Sequence, residues 1–289
     1  MSSGFGITHL KPFDEASRSE VEGLEAALSR FYRNPPEAYH AAAAAANKDW
    51  AGPGYALHRR IVAAAGKDAK VLDIGCGPAS AARYFTAAGA RYTGLDVPGK
   101  QLEENKAAYP SCGFIAGDWK DLAGMGLRFD MAVSFFVLEH VARPREFLKA
   151  AASVLGKGGR LAVLCPDYLG RGSMPSLQYF GSRPGGLRAK LSGLDLAEAV
   201  FTAVEKYVRY PRLLRRARAA AGSGGAWLMN FRPVCLDAGE WRRDWDAVYM
   251  AGEEEISGYI KSLGFELIES GSRIDGGRHG LCYVLARRP

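Results

Sequence analysis

A chain of 289 residues, 48% hydrophobic and 24% charged, has room for a sizeable core and an ordinary globular mix, which excludes wholesale disorder. No run reaches the roughly 18 consecutive apolar residues of a membrane span, and the N-terminus, MSSGFGITHLKPFDEASRSE, lacks the apolar centre of a secretory leader. Thirty-eight Lys and Arg against 31 Asp and Glu give a formal charge of +7, which permits an acidic partner without naming one. Nine basic and three acidic residues lie between Arg183 and Arg218, so that stretch holds +6 of the total.

The five cysteines (76, 112, 165, 235 and 282) are odd in number and form no CxxC pair. The histidines (9, 40, 58, 140 and 279) show no HxH or HExxH spacing. Neither a disulfide framework nor a metal site is expected, and free thiols fit a cytoplasmic location.

Residues 1–65 read as helical. Val21, Leu24, Leu28 and Phe31 follow a 3–4 spacing, Asn34-Pro35-Pro36 breaks it, and helices follow through the alanines 41–46 and over Tyr55–Ala65. The period then changes. Lys70–Ile74 is a short apolar run, read as a buried strand. Helix over Ser80–Ala88, strand over Arg91–Val97, helix over 99–109, and strands at 112–116 and Phe129–Phe135 come next. Pro144 opens a helix that runs to Leu155 and closes at Gly156, and Gly159–Leu164 is a fifth strand. Such alternation means parallel βαβ units with right-handed crossovers. It stalls at Pro166. The segment that follows is rich in Gly, Arg and Pro, with one helical pattern at Leu196, Val200, Val204 and Val208. Regularity returns as a helix over Glu253–Leu263 and strands at 265–270 and 281–286, with Gly276-Gly277 between them as the turn of an antiparallel hairpin.

The chemistry gathers at the strand ends. Asp73-Ile-Gly75-Cys76-Gly77-Pro-Ala79 joins the first strand to a helix, and glycines there let a ligand approach the backbone. A pyrophosphate is the usual occupant of such a turn. Here Asp73 would repel it, and Ser80 stands where the third glycine of that frame would fall. The second strand ends at Asp96, placed to accept from both ribose hydroxyls. The third ends in Gly117-Asp118-Trp119, a carboxylate for an exocyclic amine and an indole for a purine face. The fourth ends in Ser134-Phe135-Phe-Val-Leu-Glu-His140-Val. Together they outline a site for an adenosine with a cationic tail.

At these residues the chain resembles the class I S-adenosylmethionine-dependent methyltransferases. Val71–Gly77 is similar to that family's glycine-rich motif, with Ala79 in place of a frequent third glycine. Thr93–Asp96 is similar to the ribose motif, Gly117–Trp119 to the adenine motif, and Phe129–Val141 to the fourth-strand motif. The LEHV ending is similar to small-molecule methyltransferases of the ubiquinone-biosynthesis kind. A weaker likeness, at Asp246–Tyr249, is to enzymes of bacterial surface-glycan pathways. The resemblance implies an α/β fold, a Rossmann-like seven-stranded sheet of order 3-2-1-4-5-7-6 with strand 7 antiparallel and helices on both faces. It implies S-adenosylmethionine as cofactor, S-adenosylhomocysteine as product, and donor contacts from Asp73, Gly75, Cys76, Gly77, Asp96, Val97, Asp118, Trp119, Ser134 and Phe135. The domain is expected over 66–289, with 1–65 as a helical cover and an acceptor-side insert at about 166–250.

His140, just past the fourth strand, is the first choice of base or acceptor orienter, because imidazole titrates near neutrality. Tyr168 and Tyr249 are the next choices, and Asp167, Asp244, Trp245 and Asp246 could also face the acceptor. Asn34-Pro35-Pro36-Glu37 and Cys165-Pro166-Asp167-Tyr168 resemble boxes of amino-directed nucleic-acid methyltransferases, but neither follows the fourth strand. The leading function is methyl transfer to an oxygen or nitrogen of a small or medium-sized acceptor: a metabolite, sugar or lipid-linked sugar. The alternatives are an RNA methyltransferase using 183–218 and a non-catalytic donor-binding scaffold. A nucleic-acid partner is not expected, and the basic segment would suit peripheral contact with anionic lipid.

Overall fold

A reciprocal cap sets the first helix. Ser17 Oγ accepts from the Glu20 amide and the Glu20 carboxylate accepts from the Ser17 amide. Val21, Leu24 and Leu28 then fall on one buried face of α1 (Arg18–Arg33). The computed structural model describes residues 9–46, 50–171, 186–221, 224–236, 245–274 and 280–289. Before α1 lies β1 (Leu10–Pro12); after it come α2 (Glu37–Ala46) and α3 (Ala56–Ala65). The alternating region runs β2 (Lys70–Ile74), α4 (Ala82–Ala87), β3 (Arg91–Asp96), α5 (Lys100–Ala108), β4 (Gly113–Ala116), β5 (Phe129–Phe135), α6 (Pro144–Ser153) and β6 (Leu155–Pro166). Next are α7 (Tyr168–Arg171), α8 (Leu187–Ser192), α9 (Leu196–Val204), α10 (Tyr210–Ala221) and β7 (Leu228–Asn230). The chain closes with α11 (Glu253–Ser262), β8 (Glu266–Ile274) and β9 (Gly280–Arg287).

The main sheet has seven strands in the order β4-β3-β2-β5-β6-β9-β8. Counting only its own strands, this is the expected 3-2-1-4-5-7-6. β2 to β6 pair parallel, and β9 runs antiparallel to both β6 and β8. Strand alternation splits the core into two layers. Leu72 and Ile74 pack with Phe147 and Leu148 of α6, Ile256 and Ile260 of α11 and Leu24 and Leu28 of α1. Val71, Met131 and Val133 pack on the other face with Ile61 of α3, Phe85 of α4 and Leu102 of α5. The strand order reverses between β2 and β5, where open α/β sheets bind ligands at their carboxyl edge.

Several local expectations change. α6 stops at Ser153, two residues before the expected Leu155, and β6 starts at Leu155, upstream of Gly159. Phe129 pairs with Leu155 but Met131 pairs with Arg160, so the glycine-rich 156–159 is an irregularity inside the pairing rather than a loop before it. The N-terminal segment is not purely helical, because β1 pairs antiparallel with β7 in a separate two-stranded sheet. The 196–208 pattern becomes α9 followed by a π turn over Glu205–Arg209 that leads into α10. Gly276-Gly277 lies outside the described residues, though the strands on either side do pair antiparallel. Among the described residues no helix is long and apolar enough to cross a membrane.

Candidate active site

The turn after β2 is fastened to β3. The Gly75 and Cys76 amides donate to the Leu95 carbonyl at 2.8 and 3.1 Å. Asp96 accepts from the Gly77 amide at 2.6 Å and, through its other oxygen, from the Val97 amide at 2.7 Å. Asn105 of α5 donates to the Gly77 carbonyl at 2.7 Å. Gly75 has φ +75° and no room for a side chain, since a Cβ would lie 2.6 Å from Val137 Cγ2. Ala79, where the family often has glycine, keeps the left-handed backbone at φ +51° and is fully buried.

Beside this turn lies a cavity of about 430 Å³, within the range of small-molecule sites. Gly75, Gly77, Asp96, Val97, Asp118, Trp119 and His140 all line it. Burial pushes the Asp96 carboxyl up, while its hydrogen bonds from Gly77 and Val97 pull it down. Asp118 caps a short turn by accepting from the Lys120 amide at 3.1 Å. Trp119 meets Phe147 edge to face at 5.5 Å.

Other sequence-selected residues stand elsewhere. Asp73 is 3% exposed and accepts from the Tyr92 hydroxyl at 2.7 Å, so its carboxylate sits inside the sheet layer. Burial, helped by the nearby Asp96 charge, pushes it up to about 7. The Cys76 thiol lies against Gly94, where a Cβ would come within 2.7 Å of its sulfur. Ser134 is buried, and Phe135 stacks on His58 at 5.5 Å. From this strand end the cavity wall is instead Phe136 and Val137. Phe136 has φ +57°, which interrupts strand alternation one residue past β5 and redirects the chain. Tyr249 is fully buried, stacks on Trp227 at 5.3 Å and donates to Glu255 at 2.9 Å. Tyr168 packs with Leu10, Tyr210 and Leu214. Neither tyrosine lines the cavity: each is drawn into a buried cluster of its own. Asp167 accepts from the Gly170 amide at 2.8 Å and from the Ser272 hydroxyl. Asp244 lies outside the described residues.

In the same cavity the structure brings Tyr32 and Tyr39, which sequence reasoning missed, to His140 and Asp246, which it had selected. Tyr32, at the end of α1, donates to Asp246 Oδ2 at 2.8 Å. His140 Nδ1 lies 3.2 Å from the Asp246 carbonyl oxygen and 3.5 Å from its Oδ2. The Tyr32 ring is 6.1 Å from that of His140 and 5.8 Å from that of Tyr39. Both tyrosines line the cavity, and burial pushes their hydroxyls up. Asp246 is held because the Val248 and Tyr249 amides donate to the Glu139 carbonyl at 2.7 and 2.9 Å, tying its segment to the turn that carries His140. Glu25 of α1, which lines the cavity, bridges Lys120 and Arg143 at 2.9 Å each and so ties α1 to the turns after β4 and β5. The sequence signal for Tyr32 was the aromatic run Phe31-Tyr32 just before the Asn34-Pro35-Pro36 break.

Comparison with known proteins fits this geometry. Residues 72–163 match a family model described as a methyltransferase domain. Malonyl-(acyl-carrier protein) O-methyltransferase of Pseudescherichia vulneris is 33% identical over 111 residues, 38% of this chain and 43% of that protein. An uncharacterized methyltransferase of Mycolicibacterium gilvum is 30% identical over 58% of this chain and 63% of its own length. A ubiquinone biosynthesis O-methyltransferase of Cereibacter sphaeroides is 33% identical over 31% of this chain and 38% of its own. The chain thus spans from under half to just under two thirds of the length of these relatives. Among solved structures, the 1,6-didemethyltoxoflavin-N1-methyltransferase of Burkholderia thailandensis, with bound S-adenosylhomocysteine, shares the fold. Its TM-score is 0.54 at 17% identity, over 96% of this chain and 94% of that one. The family match over residues 72–163 and the sheet order agree: this region is similar to methyltransferase domains, and the sheet has the strand order expected of the class I S-adenosylmethionine-dependent fold.

Proposed function

We propose that the chain as a whole transfers a methyl group from S-adenosylmethionine to an oxygen or nitrogen of a small or medium-sized acceptor. One observation carries the reading: a single cavity is lined both by the glycine turn, Asp96, Asp118 and Trp119 and by Tyr32, Tyr39 and His140. The first group fits the donor. Gly77 has φ +49° and nothing within 4 Å of a Cβ position, so the backbone there is open to a close ligand. Asp96 keeps lone pairs for ribose hydroxyls beyond those used by the Gly77 and Val97 amides. Asp118 and Trp119 suit an adenine edge and face. The bound donor would supply an electrophilic methyl on a sulfonium. The chain's part is to align the acceptor, exclude water and take up a proton.

His140 is read as the base or orienter. A neutral ring that donates from Nδ1 to the Asp246 carbonyl leaves Nε2 as its basic nitrogen. Tyr32 and Tyr39 stand beside it as acceptor-side walls, which makes the end of α1 and the start of α2 the cover of this site. The insert reaches the site through Asp246. None of the described residues of 186–221 lines the cavity, which disfavours the basic segment as an RNA track into it.

Incubation of the protein with tritiated-methyl donor and cell extract, followed by fractionation into small molecules, glycans, lipids and RNA, tests the reading. Label in a small-molecule, glycan or lipid fraction, lost with Asp96→Ala, supports it. Label confined to RNA contradicts it, and so does donor binding without transfer to any fraction.

A further inference from the structure

The helical pair α8 and α9 buries a polar cluster and exposes an apolar row. Lys190 Nζ donates to Glu198 Oε1 at 3.0 Å and to Thr202 Oγ1 at 2.8 Å, and all three residues are buried. On the opposite side Leu191, Leu194, Leu196, Val200, Val204 and Tyr207 are 48, 83, 63, 64, 41 and 61% exposed. The periodic apolar row that would ordinarily mark a core face here faces solvent. Leu194 is the extreme case. It sits in the α8–α9 turn at φ +57°, a left-handed conformation that disfavours leucine, and it is the most exposed of these side chains.

The charge beside this row has one sign. Residues 186–221 contain eight Lys and Arg and three acids. Each acid is turned inward or engaged: Asp195 caps α9, Glu198 holds Lys190, and Glu205 is fully buried 3.7 Å from Arg209. Arg188, Arg209, Arg212, Arg215 and Arg216 stand exposed. The segment is anchored to the ligand edge of the sheet, where Tyr210, Leu214 and Ala217 of α10 pack with Tyr168 and Leu169, just past the end of β6.

We propose that this outer face docks on an anionic phospholipid surface, with the leucines and valines at the acyl boundary and the arginines among the headgroup phosphates. An apolar strip flanked by cations without outward acids is the complement of such a surface. A second copy of the chain fits poorly, because like arginines would meet across the contact. RNA also fits poorly, because aliphatic side chains offer no stacking platform. The proposal stands apart from the methyl-transfer reading, since none of these residues lines the cavity.

Flotation of the full chain with vesicles of phosphatidylcholine, with and without phosphatidylglycerol, tests it. Binding is expected only to the anionic vesicles, and it weakens as salt is raised. Arg212→Ala with Arg215→Ala lowers partition roughly 25-fold at low salt, about fivefold per charge. Leu194→Glu with Val200→Glu lowers it by at least about tenfold. Circular dichroism and S-adenosylhomocysteine binding stay unchanged in both double variants. The proposal is overturned by equal behaviour on both vesicle types or by partition insensitive to either double variant. Retention of RNA in place of lipid, or a wild-type dimer that Leu194→Glu splits without any lipid binding, also overturns it.

Discussion

Gly75→Ala isolates the contact that shapes the donor turn. Two costs add. Alanine at φ +75° costs ~1–2 kcal/mol in the left-handed region. Its methyl would lie 2.6 and 2.9 Å from the two γ-carbons of Val137, an overlap of the kind that costs ~1–3 kcal/mol in packed surroundings. The expected loss of stability is therefore ~2–5 kcal/mol, read from urea unfolding. Val137 lines the cavity, so relief by side-chain rotation intrudes on the ligand, and S-adenosylhomocysteine affinity falls as well. Val137→Ala in the same chain removes the overlap but not the backbone cost. The double variant then keeps only ~1–2 kcal/mol of the Gly75→Ala effect, so the two substitutions are strongly non-additive. Simple additivity, or a Gly75→Ala protein within ~0.5 kcal/mol of wild type, refutes the reasoning.

Three further outcomes are expected. His140→Ala lowers kcat by roughly 10²–10⁴ and leaves donor affinity nearly unchanged in calorimetry; a fall under about fivefold with lost stability makes His140 a packing residue. Tyr249→Phe leaves turnover intact but costs ~1–3 kcal/mol in thermal or urea unfolding, because it removes a hydrogen bond to the buried Glu255; a large kcat effect at wild-type stability would return Tyr249 to the chemistry. Burial pushes His58 down to about 4 from 6.5, so below pH 6.5 the unfolded chain takes up a proton that the folded chain refuses. Stability from this group is full above that pH and declines as pH falls towards about 4, by ~3 kcal/mol in all, and His58→Phe flattens that slope in pH-dependent melting.

The sheet was legible because most of its strands are short apolar runs, and the glycine turn and the acids that line the cavity were legible because they sit at strand ends. Where the reading stopped, the cause is local. β1 and β7 are three residues each and pair across more than 200 residues of chain, a contact without any periodic signal. Tyr32 and Tyr39 sit on helices where aromatic residues read as core, and only the Tyr32 hydrogen bond to Asp246 and the ring contact between the two tyrosines place them at the cavity. Ser134 and Phe135 were selected as the end of the fourth strand, but Phe136 at φ +57° redirects the chain, and Phe136 and Val137 line the cavity instead. Tyr168 and Tyr249 do follow the ligand edge in sequence, yet Tyr168 packs against α10 and Tyr249 packs in the core with Trp227. The 196–208 row carries the usual signature of a core face, and nothing in its spacing reveals that a buried lysine and glutamate turn that face outward.

Titration calorimetry with S-adenosylhomocysteine tests the central claim most directly. The wild-type chain should bind one equivalent, and Asp96→Ala should weaken binding by ~1.5–3 kcal/mol, the scale of a hydrogen bond to a charged group. Absence of heat with S-adenosylhomocysteine, or binding of NADH in its place, would contradict the account.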